Sequence, residues 1–128
     1  MSFIYLASPY THRDPEVVHG RFKAVEKVTA ILMRQGHVIY SPIVHSHAVA
    51  RRYALPLIAE FWRVQNYGML SKASALWVLA LDECKESVGV FDEIRFARQC
   101  QIPLRLVSPY GTLPDFDWRG IDAHDHRG

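Results

Sequence analysis

Cysteine is scarce: Cys84 and Cys100 are the only two in 128 residues. Their spacing excludes a disulfide framework and a CxxC redox or metal motif. Free thiols fit a reducing compartment. Long apolar runs are also missing. The longest, Ala75-Leu76-Trp77-Val78-Leu79-Ala80-Leu81, stops at Asp82, far short of the roughly 20 residues that span a bilayer. Met1-Ser2-Phe3-Ile4-Tyr5 has no basic stretch and no long apolar stretch, so a secretory leader is not expected. Charge of one sign is lacking: 15 Lys and Arg against 13 Asp and Glu leave +2. No basic cluster is interleaved with aromatics, which argues against a nucleic acid polymer as partner. The expectation is a cytoplasmic protein that binds neither membrane nor polymer.

What is present is a chain that is 49% hydrophobic, enough for one compact domain with a core. Phe3-Ile4-Tyr5-Leu6-Ala7 reads as a central strand, stopped by Ser8-Pro9. Tyr5 carries the one polar tip in it, and is either a core aromatic or a site residue. Asp14-Pro15 to Gln35 reads as a helix, with Asp14 as N-cap and Pro15 at the first position. Its apolar stripe includes Val18, Phe22, Val25, Val28 and Leu32. Gly20 inside it costs about 1 kcal/mol against Ala, for which close packing on the sheet is the expected reason. His37-Val38-Ile39-Tyr40, ended by Ser41-Pro42, reads as the second strand. A strand, a helix and a strand at this spacing predict a right-handed crossover and a parallel sheet.

Ile43 to Leu55 has no clear period. His45 and His47, two apart, suit one face of a strand. With no third ligand near, they read as cleft-lining histidines in a loop rather than as a metal pair. Arg51 and Arg52 read as a solvated face, the alternative being that one of them meets a phosphate. Pro56 to Ala73 reads as a helix with Ile58, Phe61, Trp62, Gln65, Met69 and Leu70 on its inner side. The Gln65-Asn66 pair is either solvent-facing or in contact with substrate. Ala75 to Leu81 is the third strand, apolar throughout, as strands buried on both faces are. Val88 to Gln101 reads as a helix and Ile102 to Val107 as the fourth strand.

These elements predict an α/β fold: a flavodoxin-like or Rossmann-like three-layer sandwich around a parallel sheet of four or five strands. It occupies residues 1–107. Residues 108–128 read as an irregular tail, packed by Phe116 and Trp118 or lying on a neighbouring subunit. His124-Asp125-His126 reads as a solvated end rather than a metal site, by ligand count.

In open α/β sheets, ligands bind beyond the carboxyl ends of the strands. That rule gathers Ser8–Tyr10, Ser41–His45 and Asp82–Gly89 round one crevice. The Ser87–Gly89 stretch sits at a strand-to-helix junction, where backbone N–H groups and the helix dipole favour an anion. Glu93 lies in register between Val90 and Ala97, near the inner side of its helix. A buried carboxylate needs a partner. Glu93 is either a working group or a helix-surface residue paired with Arg95 or Lys85.

Ile4-Tyr5-Leu6-Ala7-Ser8-Pro9, together with Ser87-Val88-Gly89-Val90-Phe91-Asp92-Glu93 and the following Ala97, resembles the nucleoside 2-deoxyribosyltransferase-like superfamily. That group includes deoxyribosyltransferases and 2′-deoxynucleoside 5′-phosphate N-hydrolases. The resemblance implies a flavodoxin-like fold, assembled as a homo-oligomer, dimer or tetramer. It implies cleavage or transfer at the N-glycosidic bond of a 2′-deoxynucleoside or its 5′-monophosphate, with no metal and no organic cofactor. It places Glu93 on the nucleophilic glutamate and Tyr5 on the tyrosine that orients it. Ser87 falls where the nucleotide hydrolases hold phosphate, with Gly89, Ser8 and Pro9 also at substrate. The nucleoside transferases tend to have Asp in place of Ser87, so this serine favours a phosphorylated substrate. Asn66 departs from the pattern, because the hydrolases carry a catalytic aspartate there. Asp82, Glu83, Glu86 or Asp92 are the candidate replacements. The alternative is a non-catalytic nucleotide-binding or sensing module that kept the pocket.

Overall fold

The computed structural model describes residues 2–56, 58–81 and 87–119. Four strands form one sheet in the order β2-β1-β3-β4, parallel throughout. They are β1 (Ile4–Ala7), β2 (Ile39–Tyr40), β3 (Ala75–Leu79) and β4 (Leu104–Val107). Four helices connect and cover them: α1 (Pro15–Arg34), α2 (Pro42–Arg52), α3 (Ala59–Leu70) and α4 (Val88–Gln99). The expected α/β three-layer sandwich is the observed fold.

Strand alternation explains the layers. Tyr5 and Ala7 of β1 and Leu76 and Val78 of β3 pack with Leu70 of α3 and with Val90, Ile94 and Ala97 of α4. Leu6, Trp77 and Leu79 point the other way, onto Val25, Val28 and Leu32 of α1, with Ile43 and Val44 of α2 against the same cluster. Both faces of the central strands are therefore dry, and this is why β1 and β3 read as unbroken apolar runs.

Local signals set most of the ends. Asp14 caps α1, its carboxylate accepting from the Glu16 amide at 2.9 Å, and Pro15 fills the first position. Gly36 follows α1 at φ +94°, where a side chain would be strained. Gly20 meets nothing within 4 Å of where a Cβ would stand, so close packing is not the reason for it.

The largest correction concerns α2. The stretch beginning at Pro42 is a helix rather than a strand or loop. Ser41, read above as a strand stop, is its N-cap, accepting from the Val44 amide at 3.1 Å, with Pro42 at the first position. On a helix, His45 and His47 diverge: His45 is exposed and His47 is 7% exposed. α3 is shorter than expected, and among its described residues only Leu70 is buried. Ile58 precedes α3 at 60% exposure, and Phe61 and Gln65 on it are exposed, so none of the three marks an inner face.

Beyond β4 the chain is irregular but held. Gly111 is buried with φ +82°, and Phe116 and Trp118 pack against the α3/α4 side of the core. His124-Asp125-His126, Asp82, Glu83, Cys84, Lys85 and Glu86 lie outside the described residues.

Candidate active site

The carboxyl edge of the sheet opens into a cavity of about 910 Å³, at the upper end of the range for small-molecule sites. The β1–α1 loop, α2, α3 and the start of α4 form its walls. Ser8, Pro9, Asn66, Ser87, Gly89 and Glu93 all line it. Tyr5 does not. It is fully buried behind the wall and reaches the site only through its hydroxyl.

That hydroxyl donates to Oε2 of Glu93. Glu93 is 7% exposed and sits on the sheet-facing side of α4 between Val90 and Ala97, as the register required. Burial raises its pKa to about 8; the Tyr5 hydrogen bond works against that rise and neighbouring Asp92 adds to it. Tyr5 itself is pushed well above the ordinary phenol value, first by burial and then by Glu93. The Tyr40 ring lies 5.7 Å from the Tyr5 ring and packs against the same core cluster. The alternative of a surface glutamate paired with Arg95 does not hold: Glu93 is buried and its partner is Tyr5.

Ser87 has a structural duty. It is the N-cap of α4, with Oγ accepting from the Val90 amide at 3.2 Å. The expected turn over Ser87–Gly89 is in fact a cap followed by the first helical residues, since Val88 and Gly89 are already in α4. A helix leaves its first amides without intrahelical acceptors. The Val88 and Gly89 positions therefore offer N–H groups at the cavity wall, where the helix dipole adds positive potential.

On the α3 side, Asn66 is half-buried in the wall. Across from it, Asp92 of α4 forms an ion pair with Arg63 at 2.9 Å. Tyr67 stands near Asp92, and its pKa is pushed up to about 12, by burial first and then by that carboxylate. Tyr67 is fixed further by stacking on Phe96 at 4.0 Å.

Sequence reasoning missed the α2 wall. His47 stacks on Phe22 of α1, with ring centroids 3.9 Å apart and planes at 14°. Its Nδ1 meets the Tyr10 hydroxyl, and its Nε2 faces the Arg51 guanidinium at 3.5 Å. Burial first, then Arg51 and His19, hold its pKa below the ordinary value, against an opposing contribution from Glu26. Two signals could have found this wall. Ser41-Pro42 is a helix start as well as a strand stop, and on a helix His47 and Arg51 fall one turn apart. Among the described residues, no group of three or more His, Cys, Asp and Glu is gathered as a metal site would require, and no helix is long and apolar enough to cross a membrane.

A family model described as a domain of unknown function, DUF1937, matches residues 2–109. The chain belongs to the DUF1937 family. Its match ends just past β4, so the family's shared part is the sheet with its four helices. A 2-deoxyribosyltransferase from the psychrotolerant bacterium Bacillus psychrosaccharolyticus has the same fold, with a TM-score of 0.57 at 21% identity, over 94% of this chain and 90% of that one. That enzyme is described as a biocatalyst for the industrial synthesis of antiviral and antitumoral nucleosides. No curated protein matches the sequence. This DUF1937 chain thus holds a buried carboxylate bonded by a tyrosine and a capped helix N-terminus, both at one open cavity.

Proposed function

We propose that the protein cleaves or transfers the N-glycosidic bond of a 2′-deoxynucleoside or its 5′-monophosphate, with Glu93 as nucleophile. The observation that carries this reading is the Tyr5–Glu93 hydrogen bond at the buried end of an open cavity. A carboxylate desolvated in this way is a stronger nucleophile once ionised than one in water. A hydrogen bond from a fixed phenol keeps it aimed. The fold shared with a 2-deoxyribosyltransferase supports the same reading.

The glutamate carboxylate attacks C1′ through an oxocarbenium-like state, and the C1′–N bond breaks. The base leaves with the bonding electron pair and is protonated. Water or a second base then attacks C1′, releases Glu93 and gives net retention. A 2′-deoxy sugar suits this path, because the missing electron-withdrawing hydroxyl eases cation formation. The 5′-phosphate sits at the Ser87–Gly89 end, where first-turn amides and the helix dipole favour an anion.

A non-catalytic nucleotide-binding role is the second reading. Asn66, at the position where the resemblance implies a catalytic aspartate, is an amide in the cavity wall, and Asp92 is tied to Arg63. One experiment separates the two. Purified protein is incubated with a panel of 2′-deoxynucleoside monophosphates, and free base is followed by chromatography. Base release that disappears in Glu93→Ala supports catalysis. Thermal stabilisation without base release supports the binding module. Release that persists in folded Glu93→Ala removes the nucleophile assignment.

A further inference from the structure

The cavity has an end that the glutamate and the helix cap leave unassigned. Both carboxylates of its described lining, Asp92 and Glu93, stand on α4. The end built by the β1–α1 loop, α1 and α2 has none among the described residues; Ser8, Tyr10, Arg21, His47 and Arg51 line it instead.

Two observations there point to a ligand. The first is Ser8, which is 6% exposed and whose Oγ is buried with no hydrogen-bond partner among the described residues. An orphaned buried hydroxyl costs about 1–3 kcal/mol, and a ligand acceptor would relieve it. The second is the His47 network. A guanidinium can only donate, so Nε2 of His47 accepts from Arg51. The neutral ring then carries its proton on Nδ1 and gives it to the Tyr10 oxygen. That assignment leaves the Tyr10 O–H to donate to a third group, and Tyr10 faces the cavity.

We infer that this end of the cavity is a subsite for the departing heterocycle, and that it selects a ring rich in acceptors or carrying negative charge. Ser8 and Tyr10 supply two O–H donors, and Arg51 supplies the charge. The ring leaves with the electron pair of the C1′–N bond, the donors and guanidinium stabilise that pair, and the proton comes afterwards from water. A carboxylic acid at the Asn66 position is then unnecessary. Assigning this end to the leaving group rests on the reading of Glu93 as nucleophile. The ring preference itself does not, and it can be measured without turnover.

Uracil and orotate are matched pyrimidines that differ by one carboxylate. Isothermal titration of each into the full chain at neutral pH is expected to show orotate binding about tenfold tighter or more, as a charge-assisted contact gives. Arg51→Ala, at an exposed helix position, should abolish the preference with the fold intact by circular dichroism. Tyr10→Phe, which keeps the ring, should weaken both ligands several-fold. Equal affinity for the two rings, no binding of either, or full preference surviving in Arg51→Ala would each overturn the subsite. The base-release assay on Glu93→Ala is independent, so the two proposals fail separately.

Discussion

The hydroxyl of Tyr5 donates to the carboxylate of Glu93 across 88 residues of sequence, with both side chains buried. One comes from the central strand and the other from the helix after β3. The bond therefore exists only when the β1–β3 pairing and the docking of α4 are both correct.

Replacing either partner should separate chemistry from aim. Glu93→Gln is isosteric and should reduce base release by at least about 10³-fold, as loss of a nucleophile does. Tyr5→Phe keeps the packing and removes only the hydrogen bond, so a loss of about 10–100-fold in kcat is expected, the scale of a misplaced group. Single-turnover kinetics on a deoxynucleoside monophosphate would check both. Equal losses in the two variants would contradict the division of roles.

To act as the proposed nucleophile Glu93 must be ionised, and burial raises its pKa to about 8. Log kcat/KM should rise with a slope of about one below that pH and level off above it, because this parameter reports the free enzyme. The Tyr5 bond lowers the Glu93 pKa. In Tyr5→Phe the inflection should therefore move to higher pH. A flat profile from about pH 6 to 9 would contradict an ionising Glu93.

Stability carries the same signature. Between the ordinary value of 4.5 and about 8, folded Glu93 holds a proton that the unfolded chain has lost. Unfolding free energy falls as pH rises through that window, by at most about 1.4 kcal/mol per unit. Glu93→Gln cannot titrate, so it should gain on the wild type steadily up to about pH 8. His47 acts in the opposite sense: its pKa lies below 6.5 in the fold, so acidification through that region favours the unfolded chain. Comparing the two proteins at each pH cancels the histidine. Denaturant melts across the range would measure the difference.

Ser87 is a cap as well as a candidate phosphate contact, and the two duties can be parted. Ser87→Ala should cost about 1 kcal/mol of stability by uncapping α4. Ser87→Asp keeps a good cap but sets a negative charge beside the proposed phosphate position. It should retain stability and weaken a monophosphate far more than the matching nucleoside. Calorimetric titration of both ligands decides the matter, and equal weakening would argue against phosphate at this end.

Gly111 ties the segment after β4 to α1. A Cβ there would stand 2.6 Å from Cγ2 of Ile31, on a backbone with φ +82°. Gly111→Ala should destabilise by about 1–3 kcal/mol, from strain and crowding together. A melting temperature unchanged from wild type would count against this anchoring.

Much of this arrangement was legible in the chain. Apolar runs marked β1 and β3, because both faces of these inner strands are covered, and the stretch after Pro103 marked the edge strand β4. The Asp14-Pro15 pair marked the start of α1. The spacing of Val90, Glu93 and Ala97 set the glutamate on the inner side of α4. The α2 wall was not legible, for a physical reason. Ser41-Pro42 terminates a strand and starts a helix with the same chemistry, and the helix that follows buries only Pro42 and His47. The inner side of α3 was misjudged because that helix borders the cavity as well as the core. The Tyr10–His47 contact joins positions 37 apart, a distance over which local pattern carries no information.

The alternation of β1 has a bearing on which length changes the chain can accept. Tyr5 and Leu6 serve opposite layers of the sandwich. Inserting or deleting one residue inside Ile4–Ala7 would exchange their destinations, turning the phenol toward α1 and an aliphatic side chain toward Glu93. A single-codon indel in this strand would thus erase the pair and disorder two cores at once, whereas indels in the exposed loops would be absorbed. In a deep scan of insertions and deletions, this four-residue strand should stand out as one of the least permissive places in the molecule.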